Sequence, residues 1–435
     1  MNYSVMATVS RGLPEKPHID VPKREARTLL KEWRAGLPEA LERIARRHPG
    51  FRKADPGAIS AGKFLLNDAQ LVIAREYGFS NWAELKERIN ANTVAGLLQE
   101  AIHKDDRETV VRLLRTNPNL LHIPLWSGNW GPPMSHAANL GRLEIIKAVA
   151  AIGARDYQHA FDRALLQGKL ECARWLHEHG AKLLPGIVMG ACETLNAAGL
   201  GFLANLGAPF TDKRGNRLAP LGLALETYGR NPAGKHAVLN VFASQGYALP
   251  DTPMMAFHRG DVTRLKDFLR RDRGLSKRRF SCLKIYPPEL GCADDGRSGM
   301  HWTPIDGTTL LHLAIDFDEE EVFDLLLAHG AEVNARANVD AEGFGGHTPI
   351  YNAVVSHGKR QASMARRLLE RGASTTVRAS LRKFLDWCET PRWHKALDVT
   401  PAEWGRTFPE KGWVNEEALV QIFRPLSFHP PAKTG

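Results

Sequence analysis

Cys282, Cys292 and His301 fall close together in KRRFSCLKIYPPELGCADDGRSGMHWTPID, residues 277–306, with Asp294 and Asp295 between them. Such side chains can hold a metal ion, or a thiolate beside a histidine base can attack an electrophile. Zinc takes four ligands, usually as close pairs, and two lone cysteines with nine residues between them do not make that pattern. No local signature marks either thiol as a nucleophile. Reduced, half-buried cysteines are expected here, with no metal, no cofactor and no catalytic residue. The chain has five cysteines and no CxxC pair, which fits a reducing cytoplasm and not a disulfide framework.

DNA recognition is a second chemistry to weigh. DAQLVIAREYGFSNWAELKERI, residues 68–89, has a helix-turn-helix look, and the nearby ARRHPGFRK adds positive charge. Its second helix, however, carries Trp82, Glu84, Leu85 and Glu87 where base edges and phosphates want polar or basic groups. A helical cap is the expected role, and nucleic acid is not the expected partner. The net charge of +10 is spread over 435 residues and selects no ligand by itself. No run of 18 apolar residues exists, and the first 20 residues lack a basic start followed by an apolar stretch, so a soluble, unexported protein with no membrane association is expected.

The elements that would position these residues are helical hairpins. In GTTLLHLAIDFDEEEVFDLLLAHGAEVNA, residues 307–335, Leu310, Leu311, Ala314 and Ile315 follow helical spacing. After a break at Asp318, Val322, Phe323, Leu325, Leu326 and Leu327 start a second helix, which Gly330 ends. Twelve residues separate break from glycine, and the interval recurs from Gly141 to Gly153, Gly168 to Gly180, Leu195 to Gly207 and Gly234 to Gly246. Before each break stands a short helix of small residues that can pack closely against its neighbours.

Thr309-Leu310-Leu311-His312-Leu313-Ala314 and HTPIYNA at 347–353 resemble the T-P-L-H-x-A signature of ankyrin repeats, units of about 33 residues built from a turn and two antiparallel helices. The resemblance covers about eight units between residues 94 and 377. It implies an all-α, ankyrin-repeat solenoid of stacked helix-turn-helix units. It also implies a structural His312 that bridges adjacent turns. The helical segment at 23–92 is similar to one found ahead of bacterial ankyrin arrays. The expected organisation is a mobile tail at 1–22, that N-terminal helical segment, an array at 93–395 interrupted by a long loop at 277–306, a degenerate C-terminal capping unit at 396–424, and a tail at 425–435. The aromatic residues Phe280, Tyr286 and Trp302 predict an ordered finger in the long loop, and strand-period alternation is not expected anywhere.

In such arrays the ends of the inner helices line a concave surface that selects the partner. By register this surface receives His103, Lys104, Asn139, Leu140, Leu166, Gln167, His258, Arg259, Asp316 and Phe317. Trp126 and Trp130 in the turn LWSGNWGPP, and Tyr286, His301 and Trp302 in the long loop, complete the candidate partner-binding set. The function this implies is a non-catalytic, cytoplasmic binding or scaffold module for a protein or peptide. An enzyme or small-molecule site between the loop and the groove is the alternative, and DNA binding through the N-terminal segment is a second alternative.

Overall fold

The computed structural model describes residues 13, 18–52, 54–91, 93–125, 129–227, 229–293, 305–355, 362–385, 392–409 and 411–423. Trp126, His301 and Trp302, the tail at 425–435 and most of the tail at 1–22 lie outside them. The chain divides into two compact units, residues 1–163 and 164–435, so the division falls within the span that the register assigns to one array. Among the described residues no helix is long and apolar enough to cross a membrane.

The first unit opens with helices Asp20–Arg34, Pro38–Arg47, Pro56–Ala61, Leu66–Glu76 and Trp82–Ala91. The first of them begins three residues before the expected boundary at 23. Leu29, Ile44, Ile59, Val72, Ile73, Leu85 and Ile89 share one buried core. Local chemistry sets the helix ends. The Leu65 amide donates to the Asp68 carboxylate at 2.7 Å, and the Glu84 amide donates to Asn81 Oδ1 at 2.9 Å, each giving an otherwise orphaned end group a partner. Arg43 donates through two nitrogens to Glu76, at 2.8 and 2.9 Å, a forked pairing that joins the second and fourth helices. Two hairpins follow, Val94–His103 with Arg107–Thr116 and Pro133–Leu140 with Leu143–Ala151.

In the second unit the helices Met189–Glu193 and Ala197–Asn205, Ala219–Glu226 and Pro232–Ser244, Pro253–His258 and Val262–Arg271, Leu310–Asp316 and Glu320–Ala328, and Pro349–Val354 and Ala362–Glu370 form successive pairs. The twelve-residue interval has a backbone cause. Both of its ends are left-handed: Asp318 has φ 63° and Gly330 φ 76°, and Leu195 has φ 55° and Gly207 φ 73°. One such residue turns the chain from inner to outer helix, and the next stops the outer helix. The copy read from Gly234 is an exception, because that glycine lies inside Pro232–Ser244. There the helix starts earlier, since Asn231 Oδ1 accepts from the Gly234 amide at 3.1 Å and Pro232 occupies the first turn.

Two small sheets depart from the expected absence of strands. Strand β1 (Arg279–Phe280) pairs antiparallel with β2 (Thr308–Thr309), and β3 (Ala379–Leu385) with β4 (Arg392–Val399). Burial alternates along β3, with Ala379, Leu381, Lys383 and Leu385 inward. The inward lysine is why the period of two does not show as an apolar pattern in the sequence. The chain closes with Pro401–Thr407, whose Thr400–Glu403 capping box is complete, and Glu416–Phe423.

Leu326 is fully buried, as the hairpin register requires. Leu326→Ala should therefore lower stability by about 2–5 kcal/mol through lost apolar contact and the cavity left behind. Chemical denaturation with an unchanged midpoint would show the side chain to be dispensable.

Candidate functional site

The long segment after residue 274 is packed, not suspended, through Ala293. Ile285, Tyr286, Cys282 and Leu290 are all buried. Its turn meets the helix Ala219–Glu226 backbone to backbone: a Cβ added to Gly222 would lie 2.0 Å from the Gly291 oxygen, and one added to Gly291 would lie 2.2 Å from the Leu218 oxygen. Glycine at both positions allows this approach. The Ala293 amide donates to Glu226 at 2.9 Å, and the Cys282 amide to Asp306 at 3.1 Å.

Beneath this segment the ends of the inner helices gather charged and aromatic groups. Arg230 Nη2 lies 2.9 Å from Asp316 Oδ2, and its guanidinium stands 4.5 Å from the centre of the Phe317 ring. Lys235 Nζ is 4.1 Å from the same ring and donates to the Leu225 carbonyl at 2.9 Å. His236 and Glu319 pair at 2.8 Å. His258 Nε2 donates to the Ile285 carbonyl at 2.8 Å, and its ring lies 6.0 Å from Tyr286 and 6.2 Å from Phe317. Burial first, and the neighbouring Arg230 second, bring the Lys235 ammonium down to about 7. Burial does the same to Lys383, also to about 7.

The register places His258, Asp316 and Phe317 at inner-helix ends but misjudges the exposure of His258 and Phe317. His258, Tyr286 and Phe317 are buried and cannot offer side chains to a partner. Each is held by a physical reason given above: a carbonyl acceptor, the overlying segment, and two cations against one ring. Asn139 is also buried, because its Oδ1 accepts from Arg163 Nε at 2.9 Å. His103, Lys104 and Gln167 are exposed, and Trp130, Leu140, Leu166, Arg259 and Asp316 are partly so. Trp130 stacks on His103, whose Nε2 lies 3.0 Å from Nε2 of buried His136. Arg230, Lys235, Lys383 and Glu319 were not found from sequence, where nothing distinguishes a buried ion from a surface one.

Cys292 is not poised as a thiolate. Burial pushes Cys292 well above the ordinary thiol value, so it stays protonated where an attacking group must be a thiolate. Among the described residues no three His, Cys, Asp or Glu side chains converge on a possible metal position.

His312 anchors the best hairpin. The Thr309 amide donates to His312 Nδ1 at 3.2 Å, and His312 Nε2 donates to the His347 carbonyl at 3.3 Å. The ring thus ties one turn to the next in a fixed tautomer, as the signature implies. The family model for the ankyrin repeat matches residues 306–338, which span this bridge. Residues 306–338 thus match a single ankyrin repeat, and similar helical hairpins recur in the chain. The human ASB11 ankyrin repeat domain is a similar solved structure, 21% identical, with alignment over 50% of this chain and 90% of that one and a TM-score of 0.28. No curated protein matches the chain.

Lys235 yields a test of the buried charges. Its folded value lies below the ordinary lysine value, so between pH 7 and 10 the unfolded chain holds more protons and stability must rise with pH. Lys235→Met should remove about 3 kcal/mol of that rise and raise stability at pH 7. Denaturant melts at both pH values read the difference, and parallel pH dependence in wild type and variant would show the ammonium to be solvated.

Proposed function

We propose that the protein is a non-catalytic, cytoplasmic binding or scaffold module that recognises a protein or peptide through the open ends of its inner helices. One observation carries the reading. At inner-helix ends of the first unit His103 and Lys104, and of the second unit Gln167 and Arg259, stay open or half-open to solvent, while neighbouring His136 and His258 are held by hydrogen bonds and ring contacts. Fixed backing lowers the entropy lost when exposed groups engage a partner, and Arg is among the side chains that dominate such contacts. The immobilised full chain should retain a protein partner. A His103→Ala, Lys104→Ala variant and a Gln167→Ala, Arg259→Ala variant, each with an unshifted thermal midpoint, should retain less of it. Equal retention by both variants would remove the inner-helix ends from the interface.

A further inference from the structure

The first helix, Asp20–Arg34, buries Pro22, Ala26 and Leu29 and turns a row of cations outward. Arg24, Arg27, Lys31 and Arg34 are all exposed, and their spacing puts them within about 80° of arc along about 15 Å of helix. Lys23 flanks the row but lies 3.7 Å from Asp20. Among the described residues none of the four forms an ion pair or a side-chain hydrogen bond. The two glutamates of the helix are half-buried and engaged elsewhere: Glu25 accepts from the Tyr77 hydroxyl at 3.2 Å, and Glu32 lies 3.6 Å from Arg43.

Solvation alone gives no reason for such a row. Arg24 with Arg27, Arg27 with Lys31, and Lys31 with Arg34 are neighbours on the helix surface, and like charges at these spacings destabilise it. The next helix, Pro38–Arg47, is built differently: Arg46 pairs with Glu42 one turn away, and Arg43 with Glu32 and Glu76. On Asp20–Arg34 the counter-charge has to come from outside. The row also selects its partner by what it lacks, because among the large hydrophobic side chains of this helix only Val21 is exposed. A protein interface is anchored by aromatic groups, a single strand by bases stacked on rings, and a lipid surface by a helix's apolar face, which here is buried. A line of phosphates needs none of these. A duplex presents one phosphate per strand for every ~3.4 Å of its axis, so four long cationic side chains spread over ~15 Å can each meet one. We propose that the exposed face of Asp20–Arg34 binds the phosphate backbone of a nucleic-acid duplex, without reading its sequence, through Arg24, Arg27, Lys31 and Arg34. This surface is separate from the inner-helix ends, and it makes no use of Trp82, Glu84 and Glu87 in the stretch 68–89.

The probe is a labelled, mixed-sequence DNA duplex of about 20 base pairs, titrated with the full-length protein at about 50 to 200 mM salt and followed by anisotropy. The logarithm of the binding constant should fall linearly with the logarithm of salt at a slope of about −3 to −4, for four phosphates neutralised. A variant with Arg24→Gln, Arg27→Gln, Lys31→Gln and Arg34→Gln should keep its thermal midpoint, since glutamine suits a helix and the repulsion is gone. Its binding at the lower salt should be weaker by more than about a hundredfold, with a slope close to zero. The control loses the same charge at exposed, unpaired positions elsewhere, through Lys86→Gln, Arg88→Gln, Arg115→Gln and Lys266→Gln, and should bind like the wild type. Equal losses in the two variants would make net charge the cause and overturn the proposal. So would an absence of binding at the lower salt, or competition by poly-glutamate as effective, charge for charge, as by unlabelled duplex, which would make an acidic protein the occupant.

Discussion

Lowering the pH from 7 to 4 should unfold the protein, with the loss beginning at pH ~6.5, where histidines of the unfolded chain take up protons. His136, His312 and His347 are buried, and burial is the first cause that holds them down, to about 4, about 3 and about 4 respectively. His258 is driven well below the usual histidine value for the same reason. A depressed histidine stays neutral in the folded chain while its unfolded counterpart takes a proton. Below pH 6.5 the unfolded state therefore binds more protons, and stability falls with pH down to the folded value. At pH 4 each of the three numbered histidines contributes about 3 kcal/mol of loss. Together these losses match the whole stability of a typical domain, about 5–15 kcal/mol. Three of the four histidines lie in the second unit, so its hairpins should lose protection first. Circular dichroism and hydrogen exchange across the range measure this. An unfolding midpoint in denaturant that is equal at pH 7 and pH 5 would contradict it.

The same histidines show why the hairpins could be read from sequence and the charge cluster could not. A hairpin needs left-handed residues at its two turning points, and glycine or aspartate at a constant interval advertises them. Leu195, left-handed at φ 55°, is found only because its neighbours keep the count. His312 is legible because the Thr309 cap and the His347 carbonyl demand a ring of that shape at that place. Arg230, Lys235 and Lys383 send no such signal. A charged residue in a helix or strand is read as facing water, and only the Phe317 ring, the Leu225 carbonyl and Asp316 explain why these do not. His258 and Phe317 do stand at inner-helix ends, as their spacing predicts, yet His258 lies against Tyr286 and Ile285 of the long segment, whose fold no periodicity announces. Lys383 conceals the β3–β4 pairing for a related reason, by putting a cation on the inward side of an otherwise apolar alternation.

Replacing residues 277–306 by a short glycine-containing turn should destabilise the second unit severely, although sequence alone suggests that the hairpins would keep their stacking partners without it. Closing a longer loop costs little entropy, but residues 282–290 of this one are part of the core. Ile285 is completely buried, and Tyr286, Cys282 and Leu290 nearly so. Removing them would leave His258 Nε2 without the Ile285 carbonyl and its ring without Tyr286 beside it. The smallest test is Ile285→Ala, expected to cost about 2–5 kcal/mol by the same cavity argument as Leu326. Gly222→Val attacks the segment from the other side: the new side chain must occupy the position where Gly291 now meets the helix, so the turn at 288–291 should be displaced while the helix remains. Hydrogen exchange then separates the outcomes. Loss of protection at 280–293 in Gly222→Val, with Ala219–Glu226 still protected, would confirm that the segment docks on that helix. Unchanged protection in both variants, with wild-type stability, would mean that the segment covers the hairpins without holding them.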